Sequence, residues 1–340
     1  MPPEPSRLRG LDLLRGIAAY AVVLGHCEPA LVVAFGPEIS KLTSFGAVSG
    51  VEIFFALSGF LIGGILLELE PTARNLRTFV VRRWMRTLPV YYFTLGVCLL
   101  LPRLLLESPP TEVWRHLVFL QNVTQGARFL NVSWSLAIEE WFYLLVPVCL
   151  FLRMRYLHVM LLLVAAGVAA RFLLPVDPRA ALVARPDAIA YGCLMAWLAR
   201  SHRGPSIERN AGWLALAGAA GMIAAFSVIV VLVDSRQYTR QAAASVYTAL
   251  PFAAAFVIPF FARLSLPGRW LPALAGFGAA VSYSIYLWHN QLVQALSRTG
   301  LPPAAGMAHV AAVLVLSTAL AYAVHLTIER PIMRRRPPMP

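Results

Sequence analysis

The stretch AVSGVEIFFALSGFLIGGILLE, residues 47–68, decides the fold of this protein. Apart from two serines, its only polar side chains are those of Glu52 and the terminal Glu68. A helix of about 20 mostly apolar residues is long enough to cross the hydrocarbon core of a bilayer. We therefore predict a membrane-spanning helix at this position.

Nine other stretches of the chain have a similar character. The 340 residues are 59% hydrophobic and only 13% charged, whereas an average soluble domain is about 25% charged. This composition excludes a disordered chain and an ordinary soluble globular protein. We predict an all-α polytopic membrane bundle of about ten transmembrane helices, at roughly 11–34, 47–68, 86–106, 134–152, 156–174, 180–199, 211–233, 242–262, 275–297 and 307–328.

The basic residues predict how the bundle is oriented. If the N-terminus lies inside, eighteen arginines, from Arg7 to Arg336, fall on the inner side, against nine basic residues, Arg128 among them, on the outer side. This bias predicts that both termini are cytoplasmic. We expect one membrane domain over residues 1–340, with a core at about 9–331 and a short Arg/Pro-rich tail at 332–340.

The net charge of +13 does not indicate a nucleic-acid-binding protein, because such a protein needs a continuous polar basic surface rather than long apolar blocks. The four cysteines are widely spaced and form no CxxC or Cys/His pattern. We therefore expect no metal site and no disulfide framework.

Ionisable side chains inside the predicted spans are the first candidates for a functional site, because each is costly in lipid. Arg15 and His26 are eleven positions apart, almost three helical turns, so both leave the same face of the first helix. Arg15 could instead reach the headgroups, and His26 could bond to a backbone carbonyl. Their shared face favours a functional pair. Glu52 needs a cation or a proton. Either Glu52 or Asp12 could pair with an arginine of the site, and a purely structural ion pair is the alternative.

Further candidates lie on the third, fourth and ninth predicted helices. Arg83 and Arg86 share a face, and two guanidinium groups suit a phosphate-bearing ligand. Anchoring to anionic lipid is the alternative. On the fourth helix, one face carries a polar side chain every four residues, at Ser135, Glu139 and Tyr143. The neighbouring acid, Glu140, points about 100° away from that face. The remaining candidates on these helices are Ser135, Glu139, Tyr143, Tyr286 and His289, and we expect Arg185 to pair locally with Asp187.

The order of these motifs resembles the acyltransferase 3 family, integral membrane O-acyltransferases that modify sugar hydroxyls. The resemblance runs from about Arg9 to Pro331. It rests on LDLLRGIA at 11–18 followed by His26, EIFFALSGFL at 52–61, RWMR at 83–86, WSLAIEEWFY at 134–143, RPD at 185–187, SYSIYLWH at 282–289 and ERP at 329–331. Many larger relatives append a periplasmic hydrolase-like domain, and we expect this chain to lack it.

The resemblance implies that Arg15, His26, Arg83, Arg86 and Glu139 are functional. We expect transfer of an acyl group, with acetyl as the first choice, from acyl-CoA to a hydroxyl of a carbohydrate, such as a surface polysaccharide or glycolipid, in a bacterial inner membrane. A neutral imidazole can remove the hydroxyl proton, so His26 is the predicted general base and Glu139 would orient or charge-balance it. The three arginines would hold the phosphates of the coenzyme.

Five side chains are candidates for substrate binding: Ser135, Tyr143, Glu52, Tyr286 and His289. Direct attack by the acceptor and a transient acyl-histidine both remain open. Other acceptors, such as a small macrolide-like glycosylated metabolite, are an alternative within the same class. A transporter, whose midplane charges would line a pathway, and a structural partner in polysaccharide assembly are alternatives of other classes.

Overall fold

The computed structural model describes residues 8–123 and 129–338 of the chain. Arg7, Arg128 and both chain ends, which the charge count and the predicted tail included, lie outside these ranges. Within the described residues the secondary structure is helical, without strands. The helices are α1 (Arg9–His26), α2 (Glu28–Phe35), α3 (Ile39–Glu68), α4 (Ala73–Leu100), α5 (Pro102–Leu105), α6 (Val113–Leu117), α7 (Trp134–Phe151), α8 (Tyr156–Leu173), α9 (Pro186–Arg200), α10 (Gly204–Arg209), α11 (Ala211–Asp234), α12 (Arg240–Arg263), α13 (Trp270–Arg298), α14 (Met307–Val324) and α15 (Arg330–Arg334).

Long apolar helices confirm an all-α polytopic membrane bundle. Large apolar side chains point outward, for example Leu173, which is 77% exposed, and Trp213, which is 74% exposed. In the described part of the chain, seven helices are long and apolar enough to cross a membrane, or eight if α1 and α2 form one span. The predicted count of ten is not confirmed by these criteria.

Two predicted spans account for the difference. The third is α4, which begins at Ala73 rather than near residue 86 and carries several arginines in its first half. The sixth is α9, which has only 15 residues. Neither helix therefore has both the length and the apolar composition of an isolated span.

The first predicted span, 11–34, is broken rather than continuous. Helix α1 ends at His26, and α2 leaves it at an angle of 73°. Pro29 has no backbone N–H and would clash with the carbonyl four residues earlier, so it favours the first turn of a new helix. His26 consequently lies at the end of a helix, next to a bend.

Close contact between α3 and α9 sets the centre of the bundle. A Cβ atom at Gly59 would lie 2.0 Å from the carbonyl oxygen of Ile189, and one at Gly192 would lie 2.0 Å from that of Ala56. The missing side chains let the two backbones touch. Helix α3 also packs on α1 and α12, and α13 packs on α1 and α14, so the functional side chains face one another across these contacts.

Candidate active site

A narrow cavity of about 80 Å³ lies between α1, α3, α4, α7 and α13, and we call it the arginine cavity. Of the residues that the structure describes, three arginines and one carboxylate line it, which leaves an excess of two positive charges. The polar side chains of its wall are Arg15, Ser58, Arg83, Arg86, Thr87, Ser135, Glu139, Tyr143, Ser282, Tyr283 and Tyr286. An anionic group is the ligand that this lining favours.

The single carboxylate of this cavity is held by a chain of hydroxyl groups. Tyr143 donates to Oε2 of Glu139 over 3.0 Å. The hydroxyls of Ser58 and Tyr143 lie 2.6 Å apart, so Ser58 donates to Tyr143, whose own proton is already used. Glu139 also attracts Arg15 electrostatically. The side chains predicted to share one face of α7 therefore do so, and Glu140 does not line this cavity.

A larger cavity of about 460 Å³ contains His26, and we call it the histidine cavity. Its wall comes from the end of α1, the first half of α3, the start of α7 and two connecting segments, around residues 121–123 and 175–181. Both cavities have Val51 and Tyr286 in their walls. On α1 and α3 the arginine cavity is lined by Arg15 and Ser58, and the histidine cavity by His26 and Ala47. The cavities therefore lie in opposite halves of the bundle and meet at the two shared side chains.

Two histidines stand against each other at the edge of the histidine cavity. Nδ1 of His26 lies 3.0 Å from the carbonyl oxygen of Val22 and 3.2 Å from Nε2 of His289. Nδ1 of His289 lies 3.0 Å from the carbonyl oxygen of Ile285. The two rings meet edge to face, with centroids 4.7 Å apart.

These contacts define the tautomers of two neutral imidazoles. A carbonyl oxygen only accepts, so Nδ1 of His289 carries the proton and its Nε2 carries a lone pair. Nδ1 of His26 therefore donates, shared between Val22 and His289. Among the described residues, this assignment from the hydrogen-bond network leaves Nε2 of His26 without a partner, as a free base.

The structure brings most of the predicted site residues together. Ser135 and Tyr286 have hydroxyls 2.7 Å apart, and the Tyr286 ring lies 5.9 Å from that of His289. Tyr286 thus connects the arginine cavity to the histidine pair. The residues gathered in the arginine cavity are Arg15, Arg83, Arg86, Ser135, Glu139, Tyr143 and Tyr286.

The expected contact between Glu139 and His26 is corrected by the structure. Glu139 lies in the arginine cavity with Tyr143 and Arg15, whereas the ring partner of His26 is His289. The physical reason is that Glu139 faces the Arg15 end of α1, and eleven residues of helix, roughly 16 Å, separate that end from His26.

Glu52 is a second correction. It was predicted as a substrate-binding candidate that pairs with an arginine of the site. Its carboxylate is 2% exposed, lines neither cavity, and accepts from Nη2 of Arg185 over 2.6 Å. Arg185 also donates to the carbonyl oxygen of Tyr247. Glu52 therefore forms a buried ion pair with Arg185 between helices.

The predicted pairing of Arg185 with Asp187 is replaced by contacts to other helices. Asp187 accepts from Nη1 of Arg171 on α8 over 3.1 Å. Residues two apart at the start of a helix point in nearly opposite directions, so each charge finds a partner on another element.

The histidine cavity contains polar groups that the sequence did not indicate. Asn122, Asp177 and Arg179 line it from connecting segments. Loops carry no periodic pattern, so no spacing rule places these side chains near His26.

Comparison with known proteins identifies the class. A family model described as an acyltransferase domain (Acyl_transf_3) matches residues 8–326, so this chain belongs to that acyltransferase family. The resemblance drawn from the motifs is thereby confirmed. No solved structure matches the chain.

Three curated relatives are informative. Peptidoglycan O-acetyltransferase OatA of Listeria monocytogenes is 26% identical over 331 residues, which cover 83% of this chain and 49% of that protein. O-acetyltransferase OatA of Staphylococcus aureus is 26% identical over 326 residues, covering 85% of this chain and 51% of that protein. Acyltransferase MdmB of Streptomyces mycarofaciens is 31% identical over 160 residues, 43% of this chain and 40% of that protein. The chain thus spans about half the length of the two OatA proteins.

Proposed function

We propose that this protein is a membrane O-acyltransferase that moves an acyl group, with acetyl as the first choice, from acyl-CoA to a hydroxyl of a carbohydrate. One observation carries the proposal: a cavity with excess arginine and a cavity with a free histidine base meet at Tyr286. Membership of the acyltransferase family supports the reaction class. The names of the OatA relatives support O-acetylation, and one of them names a carbohydrate polymer as acceptor.

The donor enters the arginine cavity in this proposal. Guanidinium groups bind phosphate through paired, charge-assisted hydrogen bonds, and Arg15, Arg83 and Arg86 supply three such groups. The cavity is narrow, so it suits the linear pantetheine arm rather than the nucleotide. The phosphates then stay at the arginines, and the thioester points toward Tyr286 and the histidine cavity.

The acceptor occupies the histidine cavity. Nε2 of His26 removes the proton of a sugar hydroxyl, and the oxygen forms a bond to the thioester carbonyl carbon. The carbon–sulfur bond breaks, and the leaving thiolate takes the proton back from His26. Asn122, Asp177 and Arg179 offer donors and acceptors that suit sugar hydroxyls.

The location follows from the same arrangement. We place the arginine cavity on the cytoplasmic side of a bacterial inner membrane, where acyl-CoA is made, and the histidine cavity on the outer side. The excess of arginine on the predicted inner segments supports this orientation and cytoplasmic termini.

The test is release of free thiol from acetyl-CoA by purified, detergent-solubilised protein, with soluble peptidoglycan fragments as the acceptor. We expect acetyl ester on the fragments and a fall of about 10²–10⁴-fold in turnover for His26→Ala. His309→Ala is the matched control, because it removes a buried imidazole that lines neither cavity.

Each competing explanation has its own outcome. Near-normal turnover in His26→Ala contradicts the general-base role. Acetylation of a glycosylated macrolide but not of the fragments replaces the polymeric acceptor by a small one. Carbohydrate flux into vesicles without thiol release contradicts the enzyme and supports a transporter.

A further inference from the structure

The segment after α15 folds back against α4, close to the arginine cavity. Nη1 of Arg82 donates to the carbonyl oxygen of Pro337 and fixes this segment in place. Arg336, one residue earlier, is half-buried, whereas Arg334 and Arg335 are exposed. The chain therefore turns one particular arginine inward.

Arg336 joins a group of like charges. It lies near enough to Arg82 and Arg86 to repel both, and Arg83 is repelled by Arg336 in turn. Burial, followed by the charges of Arg82 and Arg86, lowers the pKa of Arg336 to about 10. Its Nε atom is buried and has no hydrogen-bond partner among the described residues. Like charges held close together repel one another and destabilise the protein, so this grouping indicates an anion that binds there.

We propose that Arg336 and Arg82 bind the 3′-phosphate of the coenzyme A ribose. The inference rests on the proposed function and adds a second part to the donor site. Neither Arg82 nor Arg336 lines the arginine cavity, but both neighbour the arginines that do. We therefore place them at its entrance.

The order of groups along the coenzyme matches this arrangement. The thioester comes first, then the pantetheine arm, the pyrophosphate, and finally the adenosine with its 3′-phosphate. If the pyrophosphate lies against the cavity arginines, the 3′-phosphate is the group left at the entrance. A phosphate monoester carries a charge of about −1.5 to −2 at pH 7, which two guanidinium groups neutralise.

A phosphate could also come from an anionic lipid headgroup, since arginines at a cytoplasmic surface bind both. The two sources differ in what they predict for coenzymes that lack the 3′-phosphate. A lipid anchor is indifferent to that group, whereas a coenzyme site discriminates.

The experiment compares acetyl-CoA with acetyl-3′-dephospho-CoA in the thiol-release assay. We expect the wild-type protein to have a KM at least about tenfold lower for acetyl-CoA, the effect of one lost charge-assisted contact. Arg336→Ala should raise the KM for acetyl-CoA and bring the two values within about threefold, with little change for the dephosphorylated donor. Arg82→Ala should act in the same direction.

Two matched controls are available in the chain. Arg335→Ala removes the same charge from the same segment at an exposed position, and Arg77→Ala does so on α4. Both should keep the preference for the 3′-phosphate. Equal loss of preference in Arg335→Ala would show a non-specific charge effect and overturn the proposal.

A nucleotide-binding measurement tests this inference independently of the proposed reaction. Adenosine 3′,5′-bisphosphate should bind more tightly than adenosine 5′-monophosphate to the wild-type protein, and Arg336→Ala should abolish the difference. If that holds while no thiol is released, the reaction is wrong and the phosphate site stands. If thiol is released but the two nucleotides bind equally, the phosphate site is wrong. Retained discrimination with weaker binding to phosphatidylglycerol vesicles assigns Arg336 to lipid instead.

Discussion

At the level of single residues, the pairing of His26 with His289 is the feature with the clearest chemical consequence. Each Nδ1 is bonded to the carbonyl four residues earlier in its own helix, which holds each ring in one orientation. When Nε2 of His26 takes a proton, the positive ring still points its Nδ1–H at the lone pair of His289. A second neutral imidazole thereby takes the orienting place that a carboxylate has in many hydrolases.

We predict that His289→Ala lowers kcat by about 10- to 100-fold, the range known for removing the partner that orients a metal-binding histidine. The KM for acetyl-CoA should stay unchanged, because His289 lines neither cavity and touches His26 rather than the arginines. His289→Gln should recover part of the rate, since its amide oxygen can accept from Nδ1 of His26.

The measurement is thiol release at saturating acceptor, with kcat and KM separated. A merely structural role for His289 would lower the amount of folded protein and leave the kcat of the remainder intact. Equal rates for the Ala and Gln variants would also contradict the positioning role.

The sequence predicted which residues gather in the arginine cavity better than it predicted their partners. Helical spacing correctly put Ser135, Glu139 and Tyr143 on one face, because neighbours three to four apart share a face in any helix. The contact between His26 and His289 joins positions 263 apart. No periodicity within one helix specifies how another helix is rotated against it, so Glu139 was given the wrong neighbour and Glu52 the wrong role.

At the level of helices, packing rather than propensity decides where the elements lie. Gly59 and Gly192 place α3 and α9 in backbone contact, and that contact aligns Glu52 with Arg185. The apolar run predicted α3, but the sequence did not predict its backbone contact with α9. A glycine in a membrane helix can serve several purposes, so Gly59 and Gly192 do not by themselves indicate which helices touch.

We predict that Gly192→Ala destabilises the protein, because its Cβ would lie 2.0 Å from the carbonyl oxygen of Ala56 and the backbones would have to separate. Overpacking of this kind costs about 1–3 kcal/mol. Gly96→Ala on α4 is the control: among the described residues, a Cβ added there would contact nothing within 4 Å beyond its own stretch of helix, and alanine favours a helix by about 0.5–1 kcal/mol.

Thermal unfolding in detergent distinguishes the two variants. The midpoint should fall for Gly192→Ala and stay level or rise for Gly96→Ala. A midpoint that falls equally in both variants would mean that loss of the α3–α9 contact is not the cause of the lower stability.

Helix α4 shows why boundaries were harder to predict than helices. The arginines of α4 interrupt its hydropathy signal, so the apolar run alone predicted a start near residue 86. The helix extends back to Ala73, because arginine is a good helix former. Arg83 and Arg86 line the arginine cavity and do not face lipid. A hydropathy window cannot detect a polar interior, because the interior exists only after the other helices have packed.

At the level of the whole molecule, two ion pairs show how α3 and α9 are directed relative to each other. Glu52 pairs with Arg185 near the start of α9, and Glu68 pairs with Arg200 at its end, over 3.0 Å. Helices α3 and α9 therefore run parallel. The chain leaving α3 must return to the opposite side before α9 begins, which takes an odd number of crossings. Since α7 and α8 supply two, α4 must supply the third.

We therefore predict that α4 crosses the membrane despite its arginines, and that α9 crosses beside α3 despite its length. The 28 residues of α4 extend about 42 Å, more than the roughly 30 Å of the hydrocarbon core. Its charged face lies against the arginine cavity. The 15 residues of α9 extend only about 22 Å, but α3, α8 and α12 surround them, so protein rather than lipid covers the polar ends.

Reporter fusions at four junctions test both crossings. A fluorescent protein that matures only in the cytoplasm should be bright after Thr72 and Ser201, and a phosphatase active only outside should be active after Ser108 and Pro178. A cytoplasmic signal at both Thr72 and Ser108 would show that α4 does not cross. The parallel direction of α3 and α9 would then require a different path for α7 or α8, and the arginine and histidine cavities could no longer be assigned to opposite sides of the membrane.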